Sequence, residues 1–226
     1  MSRERLSPST AFSRSAALRE ATDTVRAFFA IDLDERARSA AAAVADQLRA
    51  CPGGDAVRWV REETLHVTLR FLGDIDCARI PRLAGCVREQ AAALSPFRLQ
   101  LGSTRLFPSK RRPLAVVLDV APAEPLAELA SAVERGVVAA GFDPESRPFN
   151  AHLTLGRIRK KRFPLVTGEV TTSGESCPVN EVVLFKSELQ SSGAHYTPIE
   201  RAPLGGEPSP LLTETDQSIY NPKVGG

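Results

Sequence analysis

Two five-residue runs, Leu65-His66-Val67-Thr68-Leu69 and Ala151-His152-Leu153-Thr154-Leu155, repeat one pattern in two places, and this constrains the fold more than any bulk property. Each run alternates as a half-buried strand does, with successive side chains on opposite faces. Val67 and Leu69 suit a core, as do Leu153 and Leu155. The other face of each strand then carries an imidazole and a hydroxyl, about 7 Å apart at their Cα atoms. The surroundings repeat as well. The first copy opens with an apolar strand at 25–33, continues with an Ala-rich helix over 35–51 stopped by Pro52-Gly53-Gly54, and places its motif in a strand at 65–72. The second opens with a strand at 114–120, continues with a helix over 124–140 that ends at Gly141, and places its motif at 151–155.

Further elements complete each copy: a helix at 80–94 and a strand at 97–101 after the first, and strands near 181–189 and 195–199 after the second. Several linkers are too short for a crossover helix between every strand pair, which favours antiparallel or mixed sheets. The expected fold is therefore α+β, a two-lobed, pseudo-symmetric duplicated unit whose mainly antiparallel sheets line a central groove with helices outside. It forms a single bilobal domain over 25–204, with repeat halves at about 25–113 and 114–204. Residues 1–24 and 205–226 lack periodicity and read as disordered tails.

Composition excludes several classes of function. Apolar residues at 42% and charged residues at 25% suit an ordinary globular chain. No stretch approaches the roughly 18 apolar residues of a membrane span, and the polar start has no signal-peptide core, so a cytoplasmic protein without a membrane partner is expected. Cys51, Cys77, Cys86 and Cys177 form no C-x-x-C pair and are read as reduced. With 29 basic against 27 acidic residues the net charge is only +2, so any basic site must be local.

The doubled motif implies a particular chemistry. Imidazole gives or takes a proton near neutral pH, so two of them on opposite sides of one atom make a general acid and base pair. In-line displacement at phosphorus needs that pair, together with donors such as Thr68 and Thr154 for the non-bridging oxygens. The plainer alternative is that each Thr follows its His because Thr favours strands. The repeated strand, helix and strand context outweighs it. His195 also opens an H-x-T-x run, but it lacks that context and Pro198 marks a strand edge, so it is read as structural. No H-x-H, H-x-x-x-H or H-x-x-E spacing occurs and Thr is a poor transition-metal ligand, so no metal is expected.

Basic residues gather near the motifs: Arg58, Arg61 and Arg70 around the first, Arg105 with Lys110, Arg111 and Arg112 between them, and Arg157, Arg159, Lys160, Lys161 and Arg162 after the second. They are either a path for a nucleic-acid backbone or solvated loops. Trp59 is read as a lobe anchor.

The chain resembles the 2H phosphoesterase superfamily, and within it the bacterial and archaeal RNA 2′,3′-cyclic phosphodiesterases, also called 2′-5′ RNA ligases. The resemblance covers about residues 25–204. It rests on the paired H-x-T-x motifs, Arg26-Ala27-Phe28-Phe29-Ala30-Ile31-Asp32-Leu33, the run Arg70-Phe71-Leu72-Gly73, Arg147-Pro148-Phe149 and Tyr196-Thr197-Pro198. It implies hydrolysis of a terminal RNA 2′,3′-cyclic phosphate to a 2′-phosphate without metal, ATP or other cofactor. By that resemblance His66 is the proton donor, His152 the proton acceptor, and Thr68 and Thr154 hold the non-bridging oxygens. Arg157, five positions after the second His, would bind phosphate, and Phe71, at the matching place after the first, would stack on a base. In a regular strand, residues five positions on point to the opposite face, so both reach the groove only if their strands twist, bulge or end. Ala151 stands where the family commonly has proline, and His195 where other residues are usual. A monomer acting on RNA is expected. The alternatives are a phosphodiesterase for 2′-5′ oligoadenylate or small cyclic nucleotides, and a non-catalytic module that binds RNA ends.

Overall fold

Strand β1 (Thr24–Asp32) alternates between two apolar environments, because both faces of its Phe28-Phe29-Ala30-Ile31 stretch are covered. Phe29 and Ile31 enter the main core beneath the helices, while Phe28 and Ala30 join a smaller cluster with Val183 and Phe185 on the other face. A computed structural model describes residues 23–159, 172, 174–191 and 193–205. Both expected tails, apart from Asp23, Thr24 and Gly205, and the basic run Lys160, Lys161 and Arg162 lie outside the described residues.

Helix α1 (Glu35–Ala50) begins where the Asp34 carboxylate accepts the Ala37 N–H at 2.8 Å, and Pro52 and the positive-φ Gly53 follow its end. The short strand β2 (Val57–Trp59) leads into a 3-10 turn, Glu62–Thr64, and then into β3 (His66–Asp76). Helix α2 (Ile80–Ala91) and β4 (Phe97–Phe107) complete the first half. The second half runs β5 (Ala115–Ala121), α3 (Ala123–Ala139), β6 (His152–Ile158), β7 (Ser176–Val179), β8 (Glu181–Gln190) and β9 (Gly193–Pro203).

Every strand pair is antiparallel, and the sheet order is β7-β4-β5-β6-β3-β1-β8-β9 with β2 added to β6. The α+β class and the antiparallel, two-lobed arrangement match the expectation. The halves interlock, because β4 from the first completes the lobe of β5 and β6, while β8 and β9 from the second flank β1. The helices cross over too: α1 packs toward β6 and β7, whereas α2 and α3 cover β3, β8 and β9. At the α2–α3 crossing, a Cβ on Gly136 would stand 2.7 Å from Val87 Cα, so the glycine sets the helix spacing.

Two elements differ from the sequence expectation for identifiable reasons. Strand β4 runs past Gly102 because the glycine lies in a bulge: Leu101 opposes Val120 and Thr104 opposes Leu118. A Cβ there would stand 3.2 Å from the Asp119 carbonyl oxygen. Strand β7 is short, carries Pro178 and lies at the sheet edge, where a missing N–H costs little.

Candidate active site

His66 opens β3 and His152 opens β6, and the two strands meet at the middle of the sheet through the pair Val67 and Leu153. Val67, Leu69, Leu153 and Leu155 are buried, while His66, Thr68, His152 and Thr154 are half-buried on the alternate positions. The opposed pairs thus share one face.

Each imidazole is held at Nδ1 by a backbone carbonyl two residues upstream: Thr64 O at 2.8 Å for His66, and Asn150 O at 2.7 Å for His152. A carbonyl only accepts, so Nδ1 carries the proton and the neutral ring keeps its lone pair on Nε2. Nε2 of His66 accepts from the Thr68 hydroxyl at 3.0 Å.

Burial is the main cause that pushes both imidazoles below their ordinary pKa. For His66 the Thr64 carbonyl and the Asp32 carboxylate pull the other way, while the charges of Arg157 and His152 add to the lowering. For His152 the Asn150 carbonyl opposes burial, Arg105 and Arg157 reinforce it, and Asp119 opposes it weakly. The free site therefore favours two neutral rings at neutral pH.

Matching bulges place Phe71 and Arg157. In β3, Ala30 of β1 opposes Thr68 and Phe29 opposes Arg70, so Leu69 is an extra residue. In β6, Val117 of β5 opposes Thr154 and Val116 opposes Gly156, so Leu155 is extra. One inserted residue reverses the facing of everything downstream. Phe71 consequently lies 5.9 Å from the Phe28 ring on the imidazole side, and the charge of Arg157 acts on His66, His152 and Tyr196 alike. The same bulge turns Arg70 away to the helix side, where it bonds Glu134 at 2.7 Å and the Asp143 carbonyl at 2.6 Å. Arg70 is thereby a packing residue and drops out of the proposed nucleic-acid path.

The groove floor also contains residues to which the sequence assigned no place beside the histidines. Around His66 it is aromatic: Phe28 at 4.8 Å, Tyr196 edge-on at 5.2 Å, and Phe185 stacked on Phe28 at 5.5 Å. Around His152 it is mixed, with Phe107 stacked at 4.5 Å and Arg105 bonded to Asp119 and Asn150. Asp32 and Asp119 are the register partners of His66 and His152. Strand pairing brings these groups together, and the register that does so has no signature within any one strand.

The remaining candidates are peripheral. His195 is exposed on β9, opposite Glu188. Lys110, Arg111 and Arg112 are exposed in the β4–β5 turn. Arg58 pairs in register with Arg157, and Arg61 donates to the Ala194 carbonyl at 2.7 Å. Trp59 packs on the core, and its Nε1 donates to Gly54 O at 3.0 Å. Among the described residues, no three His, Cys, Asp or Glu side chains gather as a metal-ligand set. No helix among them is long and apolar enough to cross a membrane.

The duplication is also a family signature. The profile of the LigT like Phosphoesterase family matches twice, over residues 31–117 and 118–196, each segment holding one His-x-Thr pair. The chain belongs to this family. A relative in Methanothermobacter thermautotrophicus named RNA 2′,3′-cyclic phosphodiesterase is 33% identical over 181 residues, covering 78% of this chain and 97% of the relative. One of the same name in Thermus thermophilus is 32% identical over 189 residues, covering 81% and 92%. Among solved structures, TT0787 of Thermus thermophilus superposes with a TM-score of 0.68 at 29% identity, and covers 80% of this chain and 99% of its own. E. coli LigT complexed with 3′-AMP gives 0.66 at 27% identity over the same shares. Family membership makes this LigT-like chain an enzyme of phosphoester chemistry.

Proposed function

We infer that the chain hydrolyses a terminal 2′,3′-cyclic phosphate of RNA to a 2′-phosphomonoester, using two imidazoles and no metal or nucleotide cofactor. The observation that carries this reading is the pair of inward-facing His and Thr residues on neighbouring strands, with Arg157 close enough to act on both rings. The names of the relatives supply the substrate class.

The step balances on groups present in the groove. Water attacks phosphorus on the His152 side and gives a proton to its Nε2. The P–O3′ bond breaks as protonated His66 Nε2 gives its proton to the departing 3′ oxygen, and proton exchange with solvent resets the pair. Thr68, Thr154 and Arg157 face the charge on the non-bridging oxygens. A bound phosphodiester anion offsets the charge of Arg157, which favours the protonated His66 that the acid role needs. The departing oxygen belongs to the nucleoside, and the aromatic floor with Phe71 lies on that side. With a 5′-hydroxyl in place of water, the same groups would form a P–O5′ bond as P–O3′ breaks, giving a 2′-5′ linkage, and the reverse of that step would cleave it.

A second reading keeps the mechanism and replaces RNA by a small cyclic nucleotide or a 2′-5′ oligoadenylate, favoured by the 3′-AMP complex of E. coli LigT. Both readings place the enzyme in the cytoplasm as a monomer. The test incubates the purified protein, with EDTA and without ATP, with an RNA ending in a 2′,3′-cyclic phosphate, beside His66→Ala and His152→Ala. A 2′-phosphate product lost in both variants supports the reading. Intact RNA with turnover of 2′-5′ oligonucleotides moves the assignment to the second, and a 3′-phosphate product overturns the regiochemistry.

A further inference from the structure

The two imidazoles are supported differently. Thr64, which holds Nδ1 of His66, is buried in the 3-10 turn Glu62–Thr64, and its hydroxyl is tied to the Arg61 carbonyl at 2.9 Å. His66 thus inherits its orientation from a closed backbone turn. Asn150, which holds Nδ1 of His152, is exposed and lies within a stretch from 142 to 151 without helix or strand. No turn of its own fixes that carbonyl.

Arg105 of β4 supplies what the turn supplies on the other side. Its Nη2 donates to Asn150 Oδ1 at 2.9 Å, and its Nε donates to Oδ1 of Asp119, the register partner of His152. The guanidinium carbon lies 5.4 Å from the centre of Phe107, whose ring stacks on His152 at 4.5 Å with 20° between the planes. One planar fork therefore touches the residue that orients the imidazole, the residue beside it and the ring beneath it. The two donor directions of guanidinium are fixed relative to each other, so Asn150 and Asp119 are held in one geometry.

We propose that Arg105 is the positioning residue for His152, holding the Asn150 carbonyl and the Phe107 face so that Nε2 stays aimed at the groove. This rests on the hydrolytic reading for its kinetic consequence, but its structural content concerns His152 alone. The charged groups that act on His152 are Arg105 from β4, Asp119 from β5, Arg157 from its own strand and His66 from β3.

The experiment compares Arg105→Met and Arg105→Lys with the unaltered protein. Steady-state rates are measured on an RNA ending in a 2′,3′-cyclic phosphate, and 15N NMR of the histidine rings reports tautomer and titration. A loosened imidazole lowers kcat about 10- to 100-fold in both variants, with KM within about twofold. In Arg105→Met the His152 tautomer becomes mixed and its titration moves up, while His66 is unmoved. Arg105→Lys keeps the charge without the fork, so its His152 titration stays near that of the unaltered protein while kcat remains low. Asn150→Ala combined with Arg105→Met adds little to either alone, because both break one link.

A rise in KM with unchanged kcat would make Arg105 a substrate-binding group and overturn the proposal, as would an equal disturbance of His66. If the unaltered protein fails to turn over the RNA, the hydrolytic reading falls, and the ring tautomers still decide the positioning role. An unaltered His152 tautomer in a folded Arg105→Met protein sinks it.

Discussion

Gly156 stands beside Arg157 where β2 pairs with β6, and its replacement by alanine tests whether that close approach sets the packing of the two strands. An added Cβ would lie 2.4 Å from Val57 Cγ1, 3.1 Å from Trp59 Cε3 and 3.3 Å from the Arg58 carbonyl oxygen. The first distance is far inside van der Waals contact, and the third involves backbone, so side-chain rotation alone cannot relieve both. Overpacking of this kind costs about 1–3 kcal/mol. For a domain of this size that is a fall of about 2–12 °C in Tm. Val57→Ala removes the nearest obstacle and, acting alone on a side chain that is 5% exposed, loses about 1–3 kcal/mol of burial and packing. If the clash is the cause, the double variant is more stable than the sum of the two losses predicts. The coupling exceeds the roughly 0.5 kcal/mol that separates interacting from independent sites. Chemical denaturation of the four proteins measures it. Additive losses, or a Gly156→Ala protein as stable as the original, would refute the packing argument.

Other outcomes follow from the groove. Arg157→Met removes a charge that lowers both imidazoles, so NMR titration should show His66 and His152 moving up together. Movement of only one would place Arg157 elsewhere. Phe71 is 54% exposed, so Phe71→Ala should leave Tm nearly unchanged while weakening RNA binding by about 1–3 kcal/mol if it stacks on a base. Lost stability with unaltered binding would make it a packing residue. The lowered imidazoles also bear on acid stability. Their folded pKa values lie below the unfolded value, so unfolding is favoured by proton uptake as pH falls from about 6.5 through the folded values, and this loss is absent above that window. His66→Gln should therefore narrow the gap in Tm between pH 7.5 and pH 5, and an unchanged gap would show that His66 makes no such contribution.

Periodicity made the motif strands legible because it is a property of one segment: Val67, Leu69, Leu153 and Leu155 are buried where alternation puts them. The doubled context made the two-lobed architecture legible for the same reason. Strand order was not, since nothing in 97–101 states that β4 will pair with β5 and β7. The positions of Phe71 and Arg157 turned on bulges at Leu69 and Leu155, and a leucine in a strand looks the same whether or not it is bulged. Phe28, Phe107 and Tyr196 escaped notice as groove residues, and Arg105 was noticed only as one of a basic group, because each is an ordinary strand residue until register brings it beside a histidine.

The exchange of outer strands has a consequence for how such a chain is assembled. Residues 108–112, in the turn between β4 and β5, are exposed, and a cut there would leave two fragments, one holding His66 and the other His152, each with a strand that completes the other's lobe. Either fragment alone would present unpaired edges and an uncovered apolar face, whereas mixing the two should restore one enzyme by complementation. Long-range closure of this kind makes folding slow relative to a chain whose halves mature in turn.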